Sequence, residues 1–415
     1  LPETSRVPAF EGFRLSVAMD AFRQSALREI MARARGEDFI SFAVGTPGTD
    51  LLPLDDLGRV TARVLASGHQ VLQYGLPSAT LKKRIVELMA VRGVDCREEQ
   101  VVLTSGSQQG MDLLARLLLD PGDAVVLEEA IYDGIQMAVR GRRPRILPVP
   151  SDPEEGLDLD ALEALLDSGE KPRFLYVIPE GHNPMGTSLS PERRARLLDL
   201  ARRHRMPIVE DDVYGHLGLE GAVQPALRAA EGRWVFYLGS LSKVLAPSLR
   251  IGWAVVPEEL AAKLAALKHA ADIDTSTLAQ HVVAAYLDEG RFPVRLENLR
   301  AEYRRRRDAM LDALERHLPD AVRWNHPRSG IFVWAHLQKE IDTTSLLERA
   351  IGEGVAFCPG EAFASGDPEP VRRSMRLSFA DTLPERMDEG VQRLARALAA
   401  ERAATPPRRA RARAV

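Results

Sequence analysis

The sequence predicts an α/β fold: a large domain on a mostly parallel, wound sheet, with a smaller α+β domain beside it. Three observations carry this. Short apolar runs alternate with helical patterns from residue 100 to residue 256, without hairpin signals between most of them, as strand–helix–strand crossovers do. The polar turns that interrupt this alternation fall at the carboxyl ends of the strands, where wound sheets place ligands. The 415 residues are too many for one small core and suit one large and one smaller domain.

Composition sets the outer bounds. Apolar content of 45% and charged content of 27% are ordinary for a globular protein. A net charge of −4 offers no general attraction to nucleic acid or to anionic membrane. No apolar run approaches the roughly 20 residues of a membrane span, and no basic-then-apolar secretory signal is visible. Cys96 and Cys358 are the only cysteines and form no CxxC or Cys/His cluster. The expectation is therefore a cytoplasmic protein without disulfide framework or metal site.

Residues 1–12 read as a loose arm and 14–35 as a helix with Phe22, Leu27, Ile30 and Met31 as its apolar stripe. DFISFAVGTPGTDLLP (38–53) is a short strand broken by Gly45-Thr46-Pro47-Gly48. Backbone N–H groups of that loop can meet a carboxylate, or the loop is a plain connection. Leu54–Ala66 and Leu81–Arg92 read as helices, with Tyr74 in the loop between them as packing residue or ligand. Val101–Leu103 is a buried strand, Thr104-Ser105-Gly106-Ser107-Gln108 a small polar turn, and Met111–Leu119 an apolar helix. Strand, Gly/Ser turn and helix N-terminus together make an anion site, although such turns also occur without function. The pattern is neither GxxxxGK nor GxGxxG.

Further strands follow at Ala124–Leu127, before Glu128–Tyr132, and at Arg145–Val149. Asp158–Leu166 is a capped helix. Phe174–Ile178 runs into a turn that pins Asn183 between proline and glycine, with His182 beside it. Pro207–Val209 ends in Glu210-Asp211-Asp212-Val213-Tyr214. Trp234–Leu238 turns at Gly239 into a loop bearing Ser240, Ser242, Lys243 and Arg250, and Ile251–Val256 returns as a strand. A lysine just past a buried strand, between hydroxyls and an arginine, suits a phosphate-bearing aldehyde: the amine forms an imine while serine and arginine hold the phosphate.

The chain from Glu258 to Leu318 is mainly helical, with Leu296–Leu318 as a long bridging helix whose Arg304–Arg307 run is expected on a solvated face. Phe332–Ala335, Val355–Gly360 and Met375–Phe379 contain strands, and Ser345–Gly352 and Glu385–Glu401 are helices. Arg376 stands between apolar residues of its strand and requires an anion, either a ligand or a structural carboxylate. Thr405–Val415 reads as a disordered basic tail.

Taken together, QSALREI, ISFAVGTPGTDLLP, LQYG, LTSGSQQGMDLL, NPMG, EDDVYG, SLSKVLAPSLRIGW and MRLSF resemble the fold-type-I pyridoxal phosphate aminotransferases of class I/II. The similarity is to the branch of 2-aminoadipate and aromatic aminotransferases and covers Phe22 to Ala399. It implies pyridoxal 5'-phosphate as cofactor and transfer of an α-amino group between an L-amino acid and a 2-oxo acid. It implies that Lys243 holds the cofactor and then serves as acid and base, that Asp211 pairs with the ring nitrogen, and that Asn183 and Tyr214 bond the ring's phenolic oxygen. Tyr132 would stack on the ring. Gly106, Ser107, Gln108, Ser240, Ser242 and Arg250 would hold the phosphate, joined by Tyr74 of a second subunit in a homodimer. Arg376 would clamp the substrate carboxylate, with the Gly45 loop closing over it and Asn183 also facing the substrate. The implied domains are an arm and part of the small domain (1–57), a large cofactor domain (58–295), a small domain (296–404) and the tail (405–415).

Three residues depart from the pattern: Val44 in the substrate loop, Ile131 before the stacking tyrosine, and His182 before Asn183. His182 is either a second acid/base or a packing residue. These departures keep open a diverted reaction on the same cofactor: elimination, decarboxylation, cyclisation or oxidative deamination. A non-catalytic, DNA-bound sensor is the third reading. The short stretch before the ISFAVGTP loop speaks against it, since it leaves no room for a DNA-binding domain.

Overall fold

The computed structural model describes residues 16–21, 38–221, 224–338 and 341–404. The arm at 1–12 and the tail at 405–415 lie outside the described residues, as does the helix expected at 14–35 apart from a 3-10 turn at Val17–Ala21.

In chain order the strands are β1 (Ile40–Ser41), β2 (Val101–Thr104), β3 (Ala124–Glu128), β4 (Arg145–Val149), the short hairpin β5 (Ser151–Asp152) and β6 (Gly156–Leu157), β7 (Phe174–Val177), β8 (Ile208–Asp211), β9 (Val235–Ser240) and β10 (Gly252–Val255). Seven of them form one sheet in the order β2-β10-β9-β8-β7-β3-β4. Only β10 runs against its neighbours. Strands β2, β3 and β7 to β10 are buried at every residue, which is why they read as continuous apolar runs. Register aligns their functional ends: Thr104 and Ser240 both oppose Gly252, and Asp211 opposes Leu238.

β9 runs two residues further than the sequence suggested, through Gly239 to Ser240. Gly239 is there for close approach rather than for turning. A Cβ on it would lie 2.3 Å from Cε2 of Trp253 on the adjoining strand. The indole needs that space, so the strand continues under it.

The second sheet contains β11 (Val322–Trp324), β12 (Phe332–Leu337), β14 (Cys358–Pro359) and β15 (Ser374–Ser378), in the order β11-β12-β15-β14 with antiparallel pairing. β1 pairs in parallel with β13 (Val355–Ala356), so the 38–53 stretch joins this second body. Arg376 stands opposite Trp334 and Cys358.

The helix linking the two sheets spans Phe292–His317, and here the structure corrects an expectation. Only half of the arginine run is a solvated face: Arg304 and Arg305 are exposed, whereas Arg306 is fully buried and Arg307 is 4% exposed. At 100° per residue, successive arginines point to different loops. Arg304 Nε donates to the Leu219 carbonyl. Arg306 donates to the Ala380 carbonyl and pairs with Asp50 at 2.5 Å. Arg307 pairs with Glu220 and donates to the Pro327 carbonyl. Arg304, Arg306 and Arg307 each tie a loop that the apolar periodicity does not register, while Arg305 pairs at the surface with Glu302 and Glu385.

Candidate active site

The carboxyl ends of β2, β8 and β9 bring three polar turns together. After β2, Gly106 adopts φ +86° and opens the Ser107–Leu118 helix without a side-chain cap, leaving its first amides free for an anion. After β9, Ser242 N–H donates to Ser240 Oγ at 3.1 Å and the two hydroxyls bond at 3.0 Å. Arg250, in the left-handed region at φ +54°, returns across the loop. Its Nη2 donates to the Ser105 carbonyl at 2.8 Å and its Nη1 lies 3.5 Å from Ser242 Oγ. The turn accepts no side chain at Gly106: a Cβ there would lie 2.4 Å from Arg250 Nη2. The result is a cradle of free amides, hydroxyls and one guanidinium.

Gln108 and Tyr132 flank it. Gln108 Nε2 donates to the Gly134 carbonyl at 2.8 Å, and Tyr132 Oη lies 3.4 Å from Gln108 Oε1. Gly134 lets the tyrosine lie flat, since a Cβ would lie 2.1 Å from its Cε1.

Lys243 is half-buried and donates from Nζ to the Gly45 carbonyl at 2.7 Å. Burial, assisted by the Arg376 cation, pulls its amine down to about 8, against the pull of Asp211. About a tenth of the amine is therefore neutral at pH 7, far more than for an ordinary lysine, as a nucleophile requires.

Asp211 ends β8 and is 1% exposed. Its Oδ2 accepts from Tyr176 Oη at 2.6 Å, while Oδ1 has no partner among the described residues. Burial pushes the acid up to about 7. Such a carboxylate is costly unless a cationic group meets it. Tyr176 is a site residue that the motifs do not mark. The signal available was a tyrosine inside the wholly buried strand FLYV, whose hydroxyl required a partner.

Arg376 is 2% exposed. Nη1 donates to Asn183 Oδ1 at 2.7 Å and Nη2 to the Ala43 carbonyl at 2.6 Å. Nε has no partner among the described residues. The guanidinium carbon lies 4.3 Å from the Phe332 ring centre and 4.7 Å from that of Phe363, a cation–π pocket. Among the described residues no carboxylate pairs with it, so the structural ion pair does not account for it. Phe332 also meets Tyr214 edge-on, with ring centres 5.7 Å apart, and fills the space beside Gly45, where a Cβ would lie 2.8 Å from its Cζ. Phe332 and Phe363 were invisible in the sequence because aromatic residues in apolar runs read as core.

His182 is held in its turn. Nδ1 accepts from Met185 N–H at 3.3 Å, and Nε2 lies 3.3 Å from Glu128 Oε1, close enough for attraction but without a well-aligned hydrogen bond. Both contacts serve packing of the Asn183 turn. Tyr74 is not brought to Lys243 within one chain. It is 80% exposed in a groove with Gln73, Gly75 and the 272–278 segment.

These residues fit pyridoxal phosphate: the cradle suits a phosphate, the orphaned Asp211 Oδ1 suits a ring N–H, and an amine drawn down from its ordinary value suits an aldehyde.

A model of the family "Aminotransferase class I and II" matches residues 37–394. The aromatic-amino-acid aminotransferase 1 of Thermococcus litoralis is 37% identical over 91% of this chain and 92% of its own length. The 2-aminoadipate transaminase of Thermus thermophilus is 41% identical over 90% of this chain and 94% of its own. Among solved structures, the α-aminoadipate aminotransferase LysN of Thermus thermophilus, complexed with N-(5'-phosphopyridoxyl)-L-leucine, superposes with a TM-score of 0.87. It is 39% identical and covers 94% of this chain and 98% of its own.

Proposed function

Because this chain belongs to the class I and II aminotransferases, we propose a division of labour among its residues for a pyridoxal phosphate-dependent transfer of an α-amino group from an L-amino acid to a 2-oxo acid. The observation that carries it is the pair on one sheet edge: Lys243 Nζ, drawn down to about 8, and the orphaned, buried Asp211 Oδ1.

When bound, pyridoxal phosphate supplies the aldehyde that takes up the amino group and the ring that draws electrons from the substrate's Cα. The 105–108 turn, Ser240, Ser242 and Arg250 hold its phosphate. Asp211 holds a proton on the ring nitrogen, and Tyr176 orients that carboxylate. Asn183 and Tyr214 bond the ring's phenolic oxygen, and Tyr132 covers one ring face. Arg376 binds the substrate α-carboxylate through two parallel hydrogen bonds, which places the Cα proton before Lys243 Nζ. Lys243 would take up that proton and hold it for return two atoms away, on the far side of the transferred nitrogen. The Gly45 loop shields this exchange from water.

The cradle gives a direct test. Gly106→Ala places a methyl against Arg250 and strains a positive-φ site, at a cost of about 1–3 kcal/mol. Affinity for pyridoxal phosphate, followed by absorbance during reconstitution, is expected to fall about ten- to hundredfold. Unchanged affinity contradicts the assignment of this turn to the phosphate.

A second copy of the chain completes the site in this reading. Leu72, Tyr74, Leu76 and Ile273 are between 52% and 90% exposed, an apolar surface of the kind that marks association. It adjoins the cradle, because Asp272 accepts from Ser105 Oγ at 3.2 Å and from Gln109 at 2.7 Å. Tyr74 then serves the partner's phosphate. Mixing a Lys243→Ala chain with a Tyr74→Ala chain is expected to regain activity beyond the sum of the two, since one site of the mixed dimer has both groups. No regain after proven exchange of subunits opposes a shared site.

Two buried, unpaired cysteines support a reducing compartment such as the cytoplasm. Among the described residues no helix is long and apolar enough to cross a membrane. The proposed large domain spans 58–295 and the small domain 296–404 with part of 1–57.

A further inference from the structure

We propose that Arg92, Asp212 and Tyr237 form a positioning cluster beneath the active site, which fixes the turn carrying Asp211 and Tyr214 and balances the charge next to Asp211. The proposal rests on the role given to Asp211 above.

Asp211 and Asp212 are consecutive, and both are buried, at 1% and 2% exposure. Two adjacent buried carboxylates repel each other unless one has its own cation. Asp212 has one. Arg92 Nε donates to Oδ2 at 2.7 Å and Nη2 to Oδ1 at 2.9 Å, and both side chains of this fork-to-fork pair are fully buried. Tyr237 Oη adds a third donor to Oδ2 at 2.9 Å. Among the described residues Asp211 has no such cation contact and retains one free oxygen. The two acids are thus separated in role: the inner one is neutralised within the protein, and the outer one is kept for a ligand.

The cluster also sets geometry. Asp212 N–H donates to the Leu238 carbonyl at 2.9 Å, and its own carbonyl accepts from Gly215 N–H at 3.2 Å. The carboxylate then folds under the turn so closely that a Cβ on Gly215 would lie 2.2 Å from Oδ1. Arg92 is itself fixed where the Ala79–Val91 helix ends. Its carbonyl accepts from Ala226 N–H at 2.9 Å, and its Nη1 donates to the Gln224 carbonyl. The guanidinium therefore braces the 211–215 turn against a separate helix and loop.

The groups facing each acid allow a signed prediction. Asp211 faces Tyr176, Lys243, Tyr132 and Tyr214 besides Asp212. Asp212 faces Arg92, Tyr237, Glu210 and His216. Glu210 accepts from the Leu227 and Arg228 amides at 2.7 and 2.9 Å. Burial holds His216 at about 4, neutral above that pH. Arg92 is thus the cation that balances Asp212. Without it, the Asp211–Asp212 pair binds its first proton more tightly; without Asp212, the orphaned Arg92 cation makes Asp211 a stronger acid.

The test is carboxyl carbon-13 NMR of the cofactor-free protein across pH, with the Asp211 signal assigned by Asp211→Asn. Arg92→Gln is expected to move the pair's first proton uptake up by about one pH unit or more, and Asp212→Asn to move Asp211 down by a similar amount. The double variant is expected near the wild-type value. Tyr237→Phe, which removes one hydrogen bond and no charge, is expected to move the pair up by a few tenths of a unit, and it keeps the test open where Arg92→Gln does not fold. Opposite shifts from Arg92→Gln and Asp212→Asn, or from Tyr237→Phe and Asp212→Asn, support the cluster. Shifts in one direction, or none, overturn it. Since no cofactor is present, this failure is distinct from failure of the Asp211 assignment, which would show as normal ring protonation in loaded Asp211→Asn.

Discussion

Lys243→Ala is expected to abolish transamination, lowering turnover by on the order of 10⁴-fold, the upper range for a lost acid–base group. The variant is expected to fold and to bind pyridoxal phosphate through the cradle, but without the visible band of the covalently held form. The reason lies in the setting of Nζ. Its amine sits near 8, and its fixed hydrogen bond is to the Gly45 carbonyl at 2.7 Å, so it can leave without breaking an ion pair. No other amine in the site takes its place: His182 is committed to Met185 N–H and to the neighbourhood of Glu128. In the wild-type cofactor-free protein, the rate of capture of pyridoxal phosphate is expected to rise with pH through about 8, as Nζ loses its proton. Stopped-flow absorbance measures both effects. Normal turnover in Lys243→Ala would remove the lysine from the chemistry.

Arg376→Ala carries the next largest effect. The guanidinium is buried between two aromatic rings and bonded to neutral acceptors, so its charge is left for a ligand. Loss of a buried charge partner costs about 3–5 kcal/mol, or about 10²- to 10⁴-fold in kcat/KM. The loss is expected to fall on amino acids and 2-oxo acids with an α-carboxylate, while simple amines lose little. Cofactor affinity is expected to hold. An equal loss for amines and amino acids would make Arg376 a structural residue.

Different parts of this molecule were legible for different reasons. The wound sheet was readable because strands buried on both faces are continuous apolar runs, and because the turns after β2, β8 and β9 carry polar residues that a core strand has no use for. Lys243, Asp211 and Arg250 lie in those turns, so the sequence could point to them, and register then places Thr104, Ser240 and Asp211 on neighbouring strands. What escaped was long-range side-chain pairing. Arg92 lies 120 residues from Asp212, and Tyr176 lies 35 from Asp211. No period or motif connects them. The arginine run at 304–307 misled at Arg306 and Arg307 because charge normally marks solvent, whereas the carbonyls of Ala380 and Pro327 recruit these two guanidiniums. Gly239 misled because glycine marks turns, whereas here it makes room for Trp253.

The measurement that tests the central claim most directly is the absorbance of the pyridoxal phosphate-loaded protein during titration with single amino acids, then with 2-oxo acids, with oxygen monitored. The account predicts that an amino acid converts the visible cofactor band to that of the aminated cofactor, that a 2-oxo acid reverses it, and that no oxygen is consumed. Persistent long-wavelength absorbance with oxygen uptake, or carbon dioxide or ammonia release without an aminated cofactor, would contradict transamination and assign the same residues to a diverted reaction.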